Sequence, residues 1–261
     1  MKKKRTKQPI PMVSIFVALA AIVGFVGYKN GLRFDYRHYG ILLILFFIVT
    51  LFDRQKEKRR MAEALLKGDY DYALMIYERE LPKISKKKPQ VIENMKMNMA
   101  ICHLNKGDVK EAESLLSELE MEHMEAPQKA LHDVYLAQTF LLQEKQPARA
   151  MKLLIDAKGT FYLKGSESIM AYACASMNQF EEAKKWADQA KENAESDQIS
   201  SFKGYLSPDY RLERMLYQFY IGATYHRMQE TEVRDEWWEK LKNPAYENVF
   251  SKTAEHWTDK A

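Results

Sequence analysis

Four segments of the chain state one pattern, and that pattern restricts the possible folds more than anything else in the sequence. Gly68-Asp69-Tyr70-Asp71-Tyr72-Ala73-Leu74-Met75-Ile76-Tyr77 gives it most clearly: a helix-ending glycine, a polar residue, then an apolar-periodic helix with a small side chain near its start. Gly107-Asp108-Val109-Lys110-Glu111-Ala112, Lys145-Gln146-Pro147-Ala148-Arg149-Ala150 and Asn178-Gln179-Phe180-Glu181-Glu182-Ala183 repeat it. Gly or Asn ends a helix by taking a left-handed conformation, and the polar residue that follows can cap the next helix. The recurring Ala73, Ala112, Ala150 and Ala183 fall where two helices cross closely, because a larger side chain there would hold the helices apart and open voids. An all-α chain of stacked helix pairs is the expected outcome.

These segments resemble tetratricopeptide repeats, whose unit is about 34 residues. The alanines are 39, 38 and 33 residues apart, so the first two units need longer connections. Ser85-Lys86-Lys87-Lys88-Pro89 and Met124-Glu125-Ala126-Pro127 supply them. A divergent fifth unit follows over 217–228 and 230–242, with Gly222 and Tyr225 at the family's spacing but Arg234 where a small residue belongs. The stretch 197–210, with Gly204 and Pro208, reads as a longer connection before it. Pro244 opens a last helix whose Tyr246, Val249, Phe250, Thr253 and Trp257 share one face, expected to cap the end of the stack. The resemblance covers residues 54–242. It implies an α-solenoid of four to five helix pairs with a capping helix over 243–261, and a role in binding other proteins.

Charge is distributed unevenly. Residues 1–60 carry 13 basic and three acidic side chains, whereas the remainder carries 27 basic and 33 acidic. The basic residues flank apolar runs rather than aromatic or Gly-rich binding segments, so a bilayer rather than a nucleic acid is the expected partner. The run 10–28 holds one polar side chain, Ser14, before its terminal Tyr28 and is long enough to cross a hydrocarbon core of roughly 30 Å. The second run, 39–52, would span only about 20 Å unless it recruits Tyr36, Arg37 and His38 at its outer end. A two-helix transmembrane hairpin over 10–53, behind a basic tail at 1–9, is therefore expected. Ala18-Leu19-Ala20 resembles a signal-cleavage site, but the apolar run continues beyond it. Five Lys and Arg before the first run and five after the second, against three between them, place both termini and the repeats in the cytosol, in the manner of a bacterial inner-membrane protein. No Gly or Pro interrupts 41–67, so the second span and the first cytosolic helix should form one rod. Arg54, Lys56, Lys58, Arg59 and Arg60 would then lie at the anionic leaflet, each contributing on the order of 1 kcal/mol.

Catalytic and cofactor motifs are missing from the sequence: it has no Gly-rich phosphate loop, HExxH, GxSxG or acidic calcium loop. His103, His123, His132, His226 and His256 are scattered, and neither Cys102 nor Cys174 has a ligand partner at metal spacing. No enzyme activity, cofactor or metal is expected. Some family members hold C-terminal carboxylates with Lys and Asn on successive first helices. Here Lys58 and Asn98 fall near two such places, but Ala62, His132 and Leu136 occupy the others, so that mode is not expected.

By family spacing the inner face of the first helices carries Met97, Ile101, His132, Tyr135, Thr139, Tyr172, Phe219 and His226. An apolar, aromatic groove of this kind suits an extended peptide or an amphipathic helix. The same residues could instead only contact their neighbours inside the stack. The leading expectation is a membrane-anchored scaffold or adaptor that recruits protein partners. The alternatives are a receptor closing on a peptide or small ligand and a structural subunit of a membrane complex.

Overall fold

The computed structural model describes residues 56, 59–65, 67–84, 88–163, 165–195, 210–241 and 249–258. The chain divides into two units, Met1–Glu63 and Ala64–Ala261. In the first, Lys56, Arg59 and Arg60 are helical and exposed. The tail, the two apolar runs, most of the expected rod, Arg54 and Lys58 lie outside the described residues. No helix among the described residues is long and apolar enough to cross a membrane.

The second unit is all-α among its described residues. Its helices are α1 (Tyr70–Glu80), α2 (Pro89–Lys106), α3 (Val109–Ser117), α4 (Ala126–Leu142), α5 (Pro147–Thr160), α6 (Ser166–Ser176), α7 (Phe180–Glu195), α8 (Tyr210–Arg227), α9 (Thr231–Glu239) and α10 (Val249–Thr258). Each helix from α1 to α9 packs on the next, and α2, α4, α6 and α8 also touch one another in succession. This is the neighbour-on-neighbour stacking of a solenoid.

Local chemistry explains the starts and stops. The Asp69 side chain accepts the Tyr72 N–H at 3.2 Å and caps α1. Glu125 and Gln128 form a reciprocal capping box at α4, and proline occupies the first turn of α2, α4 and α5. Five turns share one geometry. Gly68, Gly107, Glu144, Asn178 and Gln229 take positive φ of 69°, 100°, 54°, 60° and 63°. The next residue then donates its N–H to the carbonyl five positions back: Asp69 to Ala64, Asp108 to His103, Lys145 to Phe140, Gln179 to Cys174 and Glu230 to Tyr225, all at 2.8–3.0 Å. The third turn holds one extra residue, Gln146, which also lies in the left-handed region at φ 46°.

Gly107 isolates the energetic value of this turn, because a Cβ added there would meet nothing within 4 Å among the described residues. Gly107→Ala will therefore lose about 1–2 kcal/mol through backbone strain alone. Gln229→Gly will shift stability the opposite way. Denaturant unfolding of the purified chain followed by circular dichroism reads both signs.

Small residues close the helix pairs. Ala73, Ala112, Ala150 and Ala183 are each 0% exposed, and so are Ala100 and Ala171 on the first helices of their pairs. The fifth pair, α8 with α9, solves the crossing differently. Arg234 is buried where the other pairs have alanine; its guanidinium donates to Asp235 at 2.7 Å and stands 5.7 Å over the Trp238 ring. Opposite, Gly222 lets the Trp238 indole lie directly against the α8 backbone. The α8 helix also begins at Tyr210, earlier than the 217 read from the repeat spacing.

Helix α10, expected as an end cap, packs on α8 and also reaches α2 near the start of the stack. A helix that touches both has crossed the face lined by the first helices. Its Val249, Phe250 and Ala254 are buried, whereas Lys252, Glu255 and His256 are exposed.

Candidate functional site: the inner face

The inner face is built by α2, α4, α6 and α8 and converges on one side chain of α10. The Trp257 ring lies 5.7 Å from Tyr172, 5.7 Å from Phe219, 6.2 Å from Trp238 and 5.9 Å from His226, stacked nearly parallel on the last at 9°. Two turns earlier on α10, Phe250 meets Phe219 at 5.3 Å and Tyr220 at 5.9 Å. Offset and edge contacts of this kind are the favoured geometries of aromatic pairs. The face is thus an aromatic seat, and the chain's own last described helix occupies it.

Three of the eight inner-face candidates, Tyr172, Phe219 and His226, meet around Trp257. Met97 and Ile101 on α2 and Tyr135 on α4 belong to the same continuous apolar cluster as Val249, Phe250, Ala254 and Trp257. His132 and Thr139 are buried by contacts of a different kind. The His132 Nε2–H donates to the Leu116 carbonyl at 3.0 Å, across to α3, and the Thr139 hydroxyl donates to Leu136 of its own helix at 2.7 Å. None of the eight is openly exposed: Met97, His132, Tyr135, Thr139, Tyr172 and Phe219 are buried, and Ile101 and His226 are half-buried. Asn98 is exposed.

Sequence reasoning placed Trp257 on the end of the stack rather than in its groove. The available signal was the shared apolar face of Val249, Phe250 and Trp257, which says that the helix is buried on one side without saying against what. A second group escaped notice: the wholly buried Glu167 carboxylate at the start of α6 accepts the Tyr162 hydroxyl, and the Gly165 N–H at 3.1 Å. Burial, and then Glu167, push the Tyr162 phenol above its ordinary pKa. These bonds fix the entry into α6, which positions Tyr172.

Charge at the rim of the seat is ordered. Arg227, at the end of α8, pairs with Glu144 of the α4–α5 turn at 3.2 Å. The Arg234 guanidinium comes within 3.4 Å of the His226 ring. Burial first, then Arg234 and Arg227, hold the His226 imidazole below its ordinary pKa, with Glu144 opposing. A histidine held neutral in the folded chain favours folding above its unfolded pKa of about 6.5, and that contribution is lost as pH falls through the folded value. Melting temperatures at pH 7.5 and 5.5 will therefore differ more for the native chain than for His226→Gln. Equal differences would remove His226 from the balance.

Cys102 and Cys174 are free and buried, and burial pushes their thiols up to about 12 and about 11. Thiols held so far from the thiolate are poor nucleophiles and poor ligands. Among the described residues no three His, Cys, Asp or Glu side chains gather in a way that could hold a metal ion.

Among the described residues, the fold and this face together define an all-α unit of stacked helix pairs with a further helix packed on its inner surface. No family model, no curated protein and no solved structure matches the chain.

Proposed function

We propose that this chain is a tetratricopeptide-like scaffold, without catalytic activity of its own, held at the inner face of a membrane by a two-span hairpin and recruiting protein partners through its repeats. The observation that carries the reading is the aromatic inner face of successive first helices, which has the chemistry and spacing to accept an amphipathic helix. Buried alanines at four successive crossings and five like turns support the tetratricopeptide comparison. The anchor rests on the apolar runs 10–28 and 39–52 and on the cations that flank them.

The test uses the full tagged chain in its own cells. It should remain with membranes through alkaline carbonate and leave them only with detergent. Cross-linking before extraction should then capture a reproducible protein set that an anchor-only control lacks. Release by carbonate would end the membrane reading, and a capture set no different from the control would end the scaffold reading.

A further inference from the structure

Helix α10 is ten residues long, shorter than the roughly 12–15 residues at which an isolated helix becomes even marginally stable in water. It is helical because of what it rests on. Its apolar side is an ordered set of anchors: Val249 and Phe250 side by side, Ala254 four residues on, and Trp257 three beyond that. Its other side presents Lys252, Glu255 and His256 to solvent. Trp257 itself is only half-buried, although four aromatic rings surround it. Each of these features is what a helical ligand bound in a hydrophobic groove displays.

We infer that the inner face is a helix-receiving site, that α10 is its resident occupant, and that the partner presents an amphipathic helix with the same order of anchors, an apolar pair, a small residue and a tryptophan or comparable aromatic. This inference rests on the scaffold reading and adds to it the chemistry of the partner and a means of control. A tethered helix competes at an effective concentration on the order of millimolar, so a free helix meets the open site only in the fraction of molecules whose α10 has left. Apparent affinity for the partner falls by that fraction, and anything that loosens α10 raises it. The aromatic seat is then covered when no partner is present, which hides an apolar surface that would otherwise promote non-specific association.

The probe is a fluorescein-labelled peptide of residues 243–261, titrated by anisotropy against the full chain in detergent micelles. The Trp257→Ala chain should bind the native peptide at least ~10-fold more tightly than the native chain does, because more of its sites are open. A peptide that itself carries Trp257→Ala should bind neither chain. Absence of peptide binding to the folded Trp257→Ala chain would overturn the inference, and so would equal affinity of the two chains or of the two peptides. Should that substitution unfold the protein, hydrogen exchange on the native chain decides: α10 amides should exchange at least ~100-fold faster than those of α6 and α8, and equal protection would make α10 a fixed part of the core. A guest drawn from a second copy of the chain would appear as a concentration-dependent dimer in light scattering, and that outcome would overturn the assignment to a partner's helix. Peptide binding needs no cellular component, so exchange with an empty capture set would sink the scaffold reading alone. A specific capture set without exchange would sink only this inference.

Discussion

Phe219→Ala will cost the repeat unit about 3–5 kcal/mol, the range for removing a large aromatic side chain from a packed interior. The ring is 0% exposed and holds three elements together. It meets Tyr220 at 4.9 Å on its own helix, Trp238 of α9 at 6.5 Å, and Phe250 and Trp257 of α10 at 5.3 and 5.7 Å. Alanine would leave these four rings facing a void that none can fill without giving up another contact. The neighbouring Tyr220→Phe is the control, since the Tyr220 hydroxyl is buried with no hydrogen-bond partner among the described residues and its removal should change stability by less than about 1 kcal/mol. Denaturant unfolding followed by tryptophan fluorescence compares the two. A loss under about 1 kcal/mol for Phe219→Ala would mean that the ring fronts an open groove, because truncating an exposed side chain opens no cavity.

What could be read from the sequence, and what could not, follows from the range of the forces involved. Ala73, Ala112, Ala150 and Ala183 were legible because a helix crossing demands a small side chain at one position, and every one of them is fully buried. Gly68, Gly107 and Asn178 were legible because they adopt a left-handed turn at little cost. Glu144 and Gln229 close their helices with the same hydrogen bond but carry no such mark. Tertiary packing imposes the conformation on them, and local propensity gives no warning. Arg234 read as a break in the pattern because the compensating change sits on another helix: Gly222 of α8 leaves the backbone bare for Trp238, one turn along α9 from Arg234. The destination of α10 was the least legible feature. Amphipathic periodicity tells which face is apolar, and the contact with α2 joins residues far apart in the chain. For the same reason spacing left open whether Met97, Tyr135, Tyr172 and Phe219 line an open groove or contact their neighbours inside the stack, and all four are buried.

Gly222→Ala will have the opposite effect to the same substitution at Gly159, although both glycines are helical. A Cβ at Gly159 would meet nothing within 4 Å among the described residues, so alanine there gains up to about 1 kcal/mol of helix propensity. A Cβ at Gly222 would fall on Nε1 and Cδ1 of the Trp238 indole, well inside contact distance. That ring has nowhere to retreat. Its Nε1–H donates to the Phe219 carbonyl at 3.1 Å, it is 5% exposed, and Phe219, His226 and Trp257 lie against it. Either the indole gives up its hydrogen bond and its stack or α8 and α9 move apart, and both exceed the ordinary overpacking cost of about 1–3 kcal/mol. The net loss should be at least ~2 kcal/mol after the propensity gain is subtracted. The mechanism is specific enough to be checked by rescue. With Trp238→Leu already in place the clash has no partner, so the added cost of Gly222→Ala should largely vanish, a coupling of at least ~1 kcal/mol in a double-mutant cycle. Strictly additive losses would show that the α8–α9 crossing does not depend on the indole lying against a bare backbone, and the account of Arg234 as a tolerated departure would fall with it.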